Sequence, residues 1–282
     1  MTGKVILGLF IASILIILIT FAKSSFHKPE NMAPAGEASK SAQIHPTPTP
    51  IPLPTHSGRQ IKIPILLYHY IGNNPNPEDK TRDYLSVSPQ DFDEQMSYLQ
   101  KEGYTPITLD TMLAGLYGNT TLPPKPVVIT FDDGYQDLYF NAFPILQKYQ
   151  FRAVAFIPTG LVGTTYYANW DQLSQMQGSG LLSFQSHGVF HTNLASLSSD
   201  RLMTELTESK KVLEEKFGIP VNFIAYPYGI SNPDVGDAAK KAGYIGALGT
   251  WYSNIVSEGV LYNMPRIRVG GQMSLPTFSS RL

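Results

Sequence analysis

From residue 61 onward, short apolar runs alternate with longer segments whose apolar positions recur at helical spacing. The short runs predict strands over residues 61–68, 127–131, 153–157, 181–185, 221–225, 245–248 and 264–269. The periodic segments predict helices over residues 88–103, 110–116, 136–149, 169–177, 199–217 and 235–242. Strands that alternate with helices favour a parallel sheet. The number of such units is sufficient to close a (β/α) barrel.

Capping residues set several of the helix ends. Ser88 is suited to an N-cap with Pro89 at the first helical position, and Ser199 is suited to capping the long periodic helix that Gly218 ends. The helix over residues 136–149 has to accommodate Pro144. The polar motifs fall at the carboxyl ends of predicted strands, where a (β/α) barrel places its chemistry.

The chain begins with a strongly apolar segment. Residues 5–22 carry no charge and are flanked by Lys4 and Lys23, and their length is close to the ~20 residues that span a bilayer. No clean cleavage site follows, so residues 1–22 predict an uncleaved transmembrane signal-anchor in preference to a cleaved signal peptide. We expect the remainder to lie outside the cell membrane, as a single-pass or, after cleavage, a secreted protein. A membrane-tethered cytoplasmic enzyme is the alternative.

Residues 23–60 predict a linker. Pro, Ser, Thr and Ala dominate this stretch, and alternate residues from Pro46 to Pro54 are proline, a pattern typical of extended polyproline II. A linker of this kind would hold residues 61–282, the predicted catalytic domain, away from a membrane.

Charge and cysteine content exclude only a few classes of function. The 21 basic and 22 acidic residues give a formal net charge of −1, which argues against a nucleic-acid partner. The chain has no cysteine, which fits an oxidising compartment and excludes a lipid-modified N-terminal cysteine.

Two adjacent carboxylates follow the apolar run that ends at Phe131. Asp132 and Asp133 stand before Gly134, and like charges this close disfavour joint ionisation unless a cation or a proton lies between them. An Asp-Asp-Gly sequence is also a common turn. Its position at the end of a buried strand favours a site.

Two histidines follow a later strand. His187 and His191 are four residues apart, which predicts that both imidazoles lie on one face of a helical turn. A histidine pair of this kind on a surface helix often has no function. One Asp and two His, however, form the three-ligand pattern of catalytic zinc, with the second Asp left as a base.

These motifs resemble a known family. Three segments are similar to the first three motifs of the polysaccharide deacetylases, the NodB-homology or carbohydrate esterase family 4 enzymes: Thr130-Phe131-Asp132-Asp133-Gly134, Ser186-His187-x3-His191 and Tyr226-Pro227-Tyr228-Gly229. The similar region covers about residues 125–282. Residues 63–69 resemble the first strand of the extracellular poly-N-acetylglucosamine deacetylase-like subgroup.

The resemblance implies a deformed (β/α) barrel that hydrolyses acetyl groups on a sugar polymer. Carried over by position, Asp133, His187 and His191 bind a divalent metal, most readily Zn²⁺. Asp132 is then the general base, and the backbone amide of Tyr228 helps to hold the oxyanion.

The sequence departs from the family pattern at three motifs. Ala225 stands where the third motif usually has Arg, the fourth motif lacks its usual Asp, and the last strand lacks the usual His. We hypothesise that Arg266, on that last strand, contacts Asp132 in place of the missing Arg; the alternative is an exposed edge-strand residue. His69, at the end of the first strand, is a candidate for the missing acid or a structural side chain.

The sequence therefore predicts a membrane-anchored, externally facing, metal-dependent deacetylase of a polysaccharide that contains N-acetylglucosamine. An O-acetyl esterase stays open, because the usual acid is missing and an ester leaving group needs less protonation. A non-catalytic glycan-binding protein on the same scaffold is the third alternative.

Overall fold

The strands of residues 58–282, the part of the chain that the computed structural model describes, are short and mostly parallel. They are β1 (Gln60–Lys62), β2 (Ile65–Tyr68), β3 (Tyr70–Ile71), β4 (Ser86–Val87), β5 (Thr105–Pro106), β6 (Pro126–Phe131), β7 (Ala153–Ile157), β8 (Leu182–Ser186), β9 (Phe223–Ala225), β10 (Gly246–Leu248), β11 (Ile255–Ser257) and β12 (Ile267–Arg268).

The helices follow or separate these strands. They are α1 (Lys80–Leu85), α2 (Pro89–Lys101), α3 (Leu109–Leu116), α4 (Phe143–Tyr149), α5 (Trp170–Gly178), α6 (Ser199–Phe217), α7 (Pro233–Lys241) and α8 (Leu275–Ser280).

The main sheet is parallel and curled. Its strand order is β10-β9-β8-β7-β6-β2-β12, and β5 pairs with the start of β6. Just before β12, Met264 forms a parallel bridge with Leu248 of β10, so the two ends of the sheet approach each other. The sheet and its helices fit a deformed (β/α) barrel, as the alternation of elements predicts. Two small pairings lie outside it: β1 with β11, and β3 with β4.

Alternate residues of the barrel strands enter different apolar clusters. In β6, Val127 and Ile129 pack in a cluster with helix residues such as Phe92, whereas Val128 joins a cluster of other strand residues and α3. This is the two-residue period of a strand buried on both faces. Thr130 therefore shares the face of Val128, which brings polar groups to one end of the strand-lined cluster.

Several predicted boundaries are correct and others are not. Ser88 caps α2 by accepting a hydrogen bond from the amide of Asp91, and Gly218 ends α6 with a φ of 64°. Ser198, rather than Ser199, is the N-cap of α6. The helix predicted over residues 136–149 is divided into a π-helical turn, Leu138–Ala142, and α4. Pro144 is the second residue of α4, directly after the π-helical turn, so its missing N–H falls where the hydrogen-bond pattern changes from π-helical to α-helical.

The first and last strands also differ from their predicted bounds. The strand predicted over residues 61–68 is split into β1 and β2, with Pro64 between them, and the strand predicted over 264–269 is reduced to β12. The predicted anchor of residues 1–22, and the predicted linker as far as residue 57, lie outside the described residues. Within residues 58–282, no helix has the length and apolar character needed to cross a membrane.

Candidate active site

A tight turn after β6 positions the two aspartates. Asp133 and Gly134 both adopt left-handed backbone conformations, with φ of 72° and 69°. A Cβ on Gly134 would lie 2.7 Å from Cδ1 of Ile157, so this position combines a glycine conformation with a close approach. Both carboxylates are buried. The turn therefore directs two acidic side chains to the end of the barrel.

The two histidines lie on a loop, and the predicted helical turn is wrong. The loop follows β8, and no helical residue occurs between His187 and His191, whose φ is 54°. Glu205 of α6 holds the loop by accepting hydrogen bonds from the amides of Val189 at 2.6 Å and Phe190 at 3.2 Å. Because these backbone donors are satisfied by a side chain, the loop needs no helical hydrogen bonds.

Asp133, His187 and His191 form a candidate metal site. Oδ1 of Asp133 lies 3.3 Å from Nε2 of His187 and 3.2 Å from Nε2 of His191. One ligand atom from each residue falls within 4.8 Å of the others. Nδ1 of His187 lies 2.8 Å from the carbonyl oxygen of Ala225, which can only accept, so Nδ1 carries the hydrogen and Nε2 is the ligand atom. The donor set fits a divalent ion such as zinc.

The electrostatics of this cluster favour a positive charge. Burial by itself would lower the pKa of His187, but Asp132 and Asp133 raise it above its ordinary value. Burial would raise the pKa of Asp133, yet its contact with His187 lowers it. The pKa of His191 is lowered by burial and by the neighbouring His187. The carboxylates therefore attract a cation to the point where the ligand atoms meet.

Arg266 binds Asp132, and the interpretation of Arg266 as an exposed edge residue is wrong. Nη1 and Nη2 of Arg266 donate to Oδ1 and Oδ2 of Asp132, both at 2.7 Å. Nε donates to the carbonyl of Gly249 at 2.8 Å, and the side chain of Arg266 is fully buried. This bidentate geometry fixes the plane of the Asp132 carboxylate. The contact proposed from the sequence is present, while its catalytic effect stays a prediction.

Asp132 is held in its ionised form. Burial alone would raise the pKa of its carboxyl group, but the charge and hydrogen bonds of Arg266, with His187, hold that pKa well below the usual range. Nε2 of His187 lies 4.0 Å from Oδ2 of Asp132. The charged carboxylate of Asp132 therefore lies beside the candidate metal site but is not one of its three candidate ligands.

His69 lies near the aspartates, at the end of β2. Its Nδ1 atom is buried and has no hydrogen-bond partner within residues 58–282. Burial lowers the pKa of His69 to about 4, against the opposing charges of Asp132 and Asp133. The imidazole is therefore neutral near pH 7, so any proton that it donates to a leaving group must first be acquired.

Tyr228 reaches the site through a turn. It has a φ of 62° within the turn Pro227–Gly229, and its exposed ring meets the ring of His191 edge-on, with 4.6 Å between centroids. This contact places the turn beside a candidate metal ligand. The role of the Tyr228 amide in oxyanion binding stays a prediction.

The roles of two positioning residues are not predicted by the sequence. Thr130 donates a hydrogen bond to the carbonyl of Leu66 and lies 3.3 Å from Nη1 of Arg266, and Glu205 holds the histidine loop. Thr130 opens the first motif but has no role assigned to it by the local sequence, and Glu205 belongs to no recognisable motif. The partners of Thr130 are 64 and 136 residues away, and no local pattern encodes contacts at such separations.

Known proteins are similar to this chain in sequence and in fold. Residues 119–247 match a family model described as polysaccharide deacetylase. The poly-beta-1,6-N-acetyl-D-glucosamine N-deacetylase of Staphylococcus aureus (strain MRSA252) is 32% identical, over 65% of this chain and 68% of that protein. The Escherichia coli K12 protein of the same name is 27% identical over 73% of this chain, which spans only 37% of that protein. The structure of Streptococcus pyogenes deacetylase PplD in complex with acetate superposes with a TM-score of 0.73 at 33% identity, over 78% of this chain and 98% of that one.

Proposed function

This chain belongs to the polysaccharide deacetylase family, and we propose that it is a metal-dependent hydrolase that removes acetyl groups from a polysaccharide containing N-acetylglucosamine. One observation carries the proposal: Asp133, His187 and His191 converge beside a second, ionised aspartate that a buried arginine orients. The N-acetylglucosamine polymer named for the S. aureus and E. coli relatives supports the substrate class.

Asp133, His187 and His191 are the residues that would hold the metal. A divalent ion bound by them would supply Lewis-acid chemistry, which polarises an acetyl carbonyl and lowers the pKa of water. The hydrogen bond from His187 to the Ala225 carbonyl and the anchoring of the loop by Glu205 keep the ligand atoms in position.

Asp132 is the proposed general base. Its carboxylate takes a proton from the attacking water, and the bidentate contact with Arg266 orients the oxygen that does so. The same contact keeps Asp132 ionised at neutral pH, although a lower pKa also makes it a weaker base. Arg266 thus both orients the carboxylate of Asp132 and lowers the proton affinity of that carboxylate.

His69 and Tyr228 complete the proposal. The proton that Asp132 takes from the attacking water is the one that the neutral imidazole of His69 would receive and pass to the leaving nitrogen, and the unpartnered Nδ1 atom of His69 supports a role beyond packing. The backbone amide of Tyr228, in the turn beside His191, is the proposed donor to the developing oxyanion.

Acetate release tests the proposal directly. The full chain is incubated with N-acetylglucosamine oligomers, with and without chelator and added zinc, beside Asp132→Asn and the exposed control Asp200→Asn. We expect chelator-sensitive release that falls about 10²- to 10⁴-fold in Asp132→Asn and not in the control, because the base is lost. Acetate release that is unaffected by the chelator, or that persists in Asp132→Asn, would refute the mechanism.

An O-acetyl esterase is the second candidate, and the ionisation of His69 favours it. The neutral imidazole of His69 cannot readily protonate a leaving amide nitrogen. The oxygen leaving group of an ester needs less protonation. Paired assays on acetylated xylan and on N-acetylglucosamine oligomers discriminate between the two. Metal binding without turnover of either substrate would favour the glycan-binding alternative.

We also propose that residues 1–22 anchor the protein in the cell membrane with the catalytic domain outside. The uncharged apolar stretch and the proline-rich residues that follow it support this location. Membrane fractionation with protease treatment of intact cells tests it. Recovery in the soluble cell fraction, or protection of the catalytic domain from protease, would contradict the location.

A further inference from the structure

A pocket with two additional arginines adjoins the candidate active site. It is lined by Tyr84, Thr250, Tyr252, Arg266, Arg268 and Arg281. Arg266 belongs to both places, since it also binds Asp132. Arg268 is two residues further along the chain, in β12, and lines the pocket beside Arg266. The pocket and the carboxylates therefore share a wall.

Among the described residues, the two outer arginines have no acidic partner. Within residues 58–282, neither Arg268 nor Arg281 forms a salt bridge. Each guanidinium instead faces a tyrosine ring at 5.7 Å, Arg268 over Tyr84 and Arg281 over Tyr252. Two like charges that line one pocket repel each other, and a bound anion would relieve that repulsion.

Close backbone packing holds the pocket in shape. A Cβ on Gly270 would lie 2.5 Å from the carbonyl oxygen of Tyr84, and one on Gly271 would collide with the carbonyl of Ser86. These contacts seat the segment after Arg268 against the end of α1. Phe278 is buried and anchors α8, which Arg281 directly follows. The fold thus sets the backbone positions of both arginines before any ligand arrives.

We propose that this pocket binds an anionic group, a carboxylate or a phosphate, on a sugar next to the acetylated one, so that the preferred substrate is an acidic glycan. This inference rests on the proposed deacetylase function and names the substrate class more closely. Guanidinium groups bind both anions through paired N–H donors, and the exposed rings of Tyr84 and Tyr252 offer surfaces for sugar stacking.

Two further points agree with this assignment. Arg266 lines the pocket and also binds Asp132 through both oxygens of its carboxylate, so the pocket adjoins the proposed general base. The arginines also repel an ammonium group. A neighbouring sugar that has already lost its acetyl group, and carries an amine, is therefore disfavoured in the pocket.

The test compares acetate release by the full chain from three N-acetylglucosamine oligomers of equal length. One is neutral, one carries a carboxylate on the neighbouring sugar, and one carries a phosphate there. We expect wild-type kcat/KM to be about tenfold higher for at least one acidic oligomer, through a lower KM. The oligomer that is preferred identifies which anion the pocket recognises.

Substitutions at Arg281 isolate the pocket, since Arg268 also acts on His69. Arg281→Gln should bring the acidic-to-neutral ratio of kcat/KM close to one, whereas Arg281→Lys should retain most of it. The control, Arg152→Gln, should keep the wild-type ratio, because Arg152 is exposed and precedes β7 at the amino end of the strands. Thermal melting checks that each variant is folded.

The outcomes separate this inference from the proposed function. Equal kcat/KM for the three oligomers in the wild type would overturn it, and so would a preference for acidic oligomers that survives in Arg281→Gln. Calorimetric titration with the same oligomers measures binding without turnover. Tighter binding of an acidic oligomer, lost in Arg281→Gln but without acetate release from any oligomer, would refute the deacetylase and support the pocket.

Discussion

Replacing Arg266 with Met isolates the contribution of the buried ion pair. The substitution removes both 2.7 Å hydrogen bonds to Asp132 and the bond to Gly249, and it leaves a carboxylate that is only 3% exposed without its cation. Loss of one partner from a buried pair costs about 3–5 kcal/mol, mainly because the remaining charge is uncompensated. For a domain of this size, that cost corresponds to a fall in Tm of roughly 6–20 °C.

The effect should depend on pH. In the wild type the pKa of Asp132 lies below its usual range, so its stabilising contribution is complete above the unfolded value near ~3.9 and is lost only as the pH falls further. In Arg266→Met, burial raises the pKa of Asp132. Protonation then relieves the buried charge as the pH falls. The difference in the free energy of unfolding should therefore be largest at pH 8 and smaller at pH 5.5.

Urea unfolding of the metal-free full chain, followed by the fluorescence of its two tryptophans, measures this difference at both pH values. Arg266→Lys should lose less, because it keeps the charge but not the bidentate geometry, and Arg152→Met serves as the exposed control. A difference below about 1 kcal/mol at pH 8, or one that is equal at both pH values, would show that the ion pair does not stabilise Asp132 as argued.

Three further predictions concern the metal, the loop and the acid. His187→Ala should abolish stoichiometric zinc binding, measured by elemental analysis after dialysis, because a buried ligand is lost; full occupancy in the variant would remove His187 from the site. Glu205→Ala should weaken zinc affinity about 10- to 100-fold by releasing the loop amides, with the exposed Glu208→Ala as its control; equal affinities in competition titrations would contradict this role. His69→Ala should lower kcat on N-acetyl substrates about 10²-fold or more, with a smaller loss on O-acetyl esters and little change in KM. Unchanged kcat on the N-acetyl substrates would exclude the proton-transfer role.

Local pattern predicted most of the elements and selected the candidate residues of the site. The apolar run of β6 followed by Asp132-Asp133-Gly134 predicts a buried strand and a turn, because a strand buried on both faces is continuously apolar and a left-handed turn favours Gly. The cap at Ser88 and the stop at Gly218 were predictable for the same reason. Each depends on interactions within a few residues.

Spacing was not sufficient for the shape of the histidine loop. The spacing of four from His187 to His191 fits a helical turn, and the same spacing fits a loop in which Gly188 and His191 take positive φ values. The choice depends on Glu205, which bonds to the loop amides from another helix. A contact of this kind competes with helical hydrogen bonds but leaves no trace in the local sequence.

The pairing of Asp132 with Arg266 shows most clearly which information is local to the sequence and which depends on tertiary packing. The sequence supplied the candidates, because the usual arginine is absent and an arginine stands on the last strand. Only the strand order β6-β2-β12 brings these residues together across 134 positions, and only the closed interior makes the pair dry enough to set the ionisation of the base. The same holds for the neutral state of His69 and for the pocket formed with Arg281. Local free energies select strands, turns and caps, whereas charge states and distant contacts depend on the packing that excludes water.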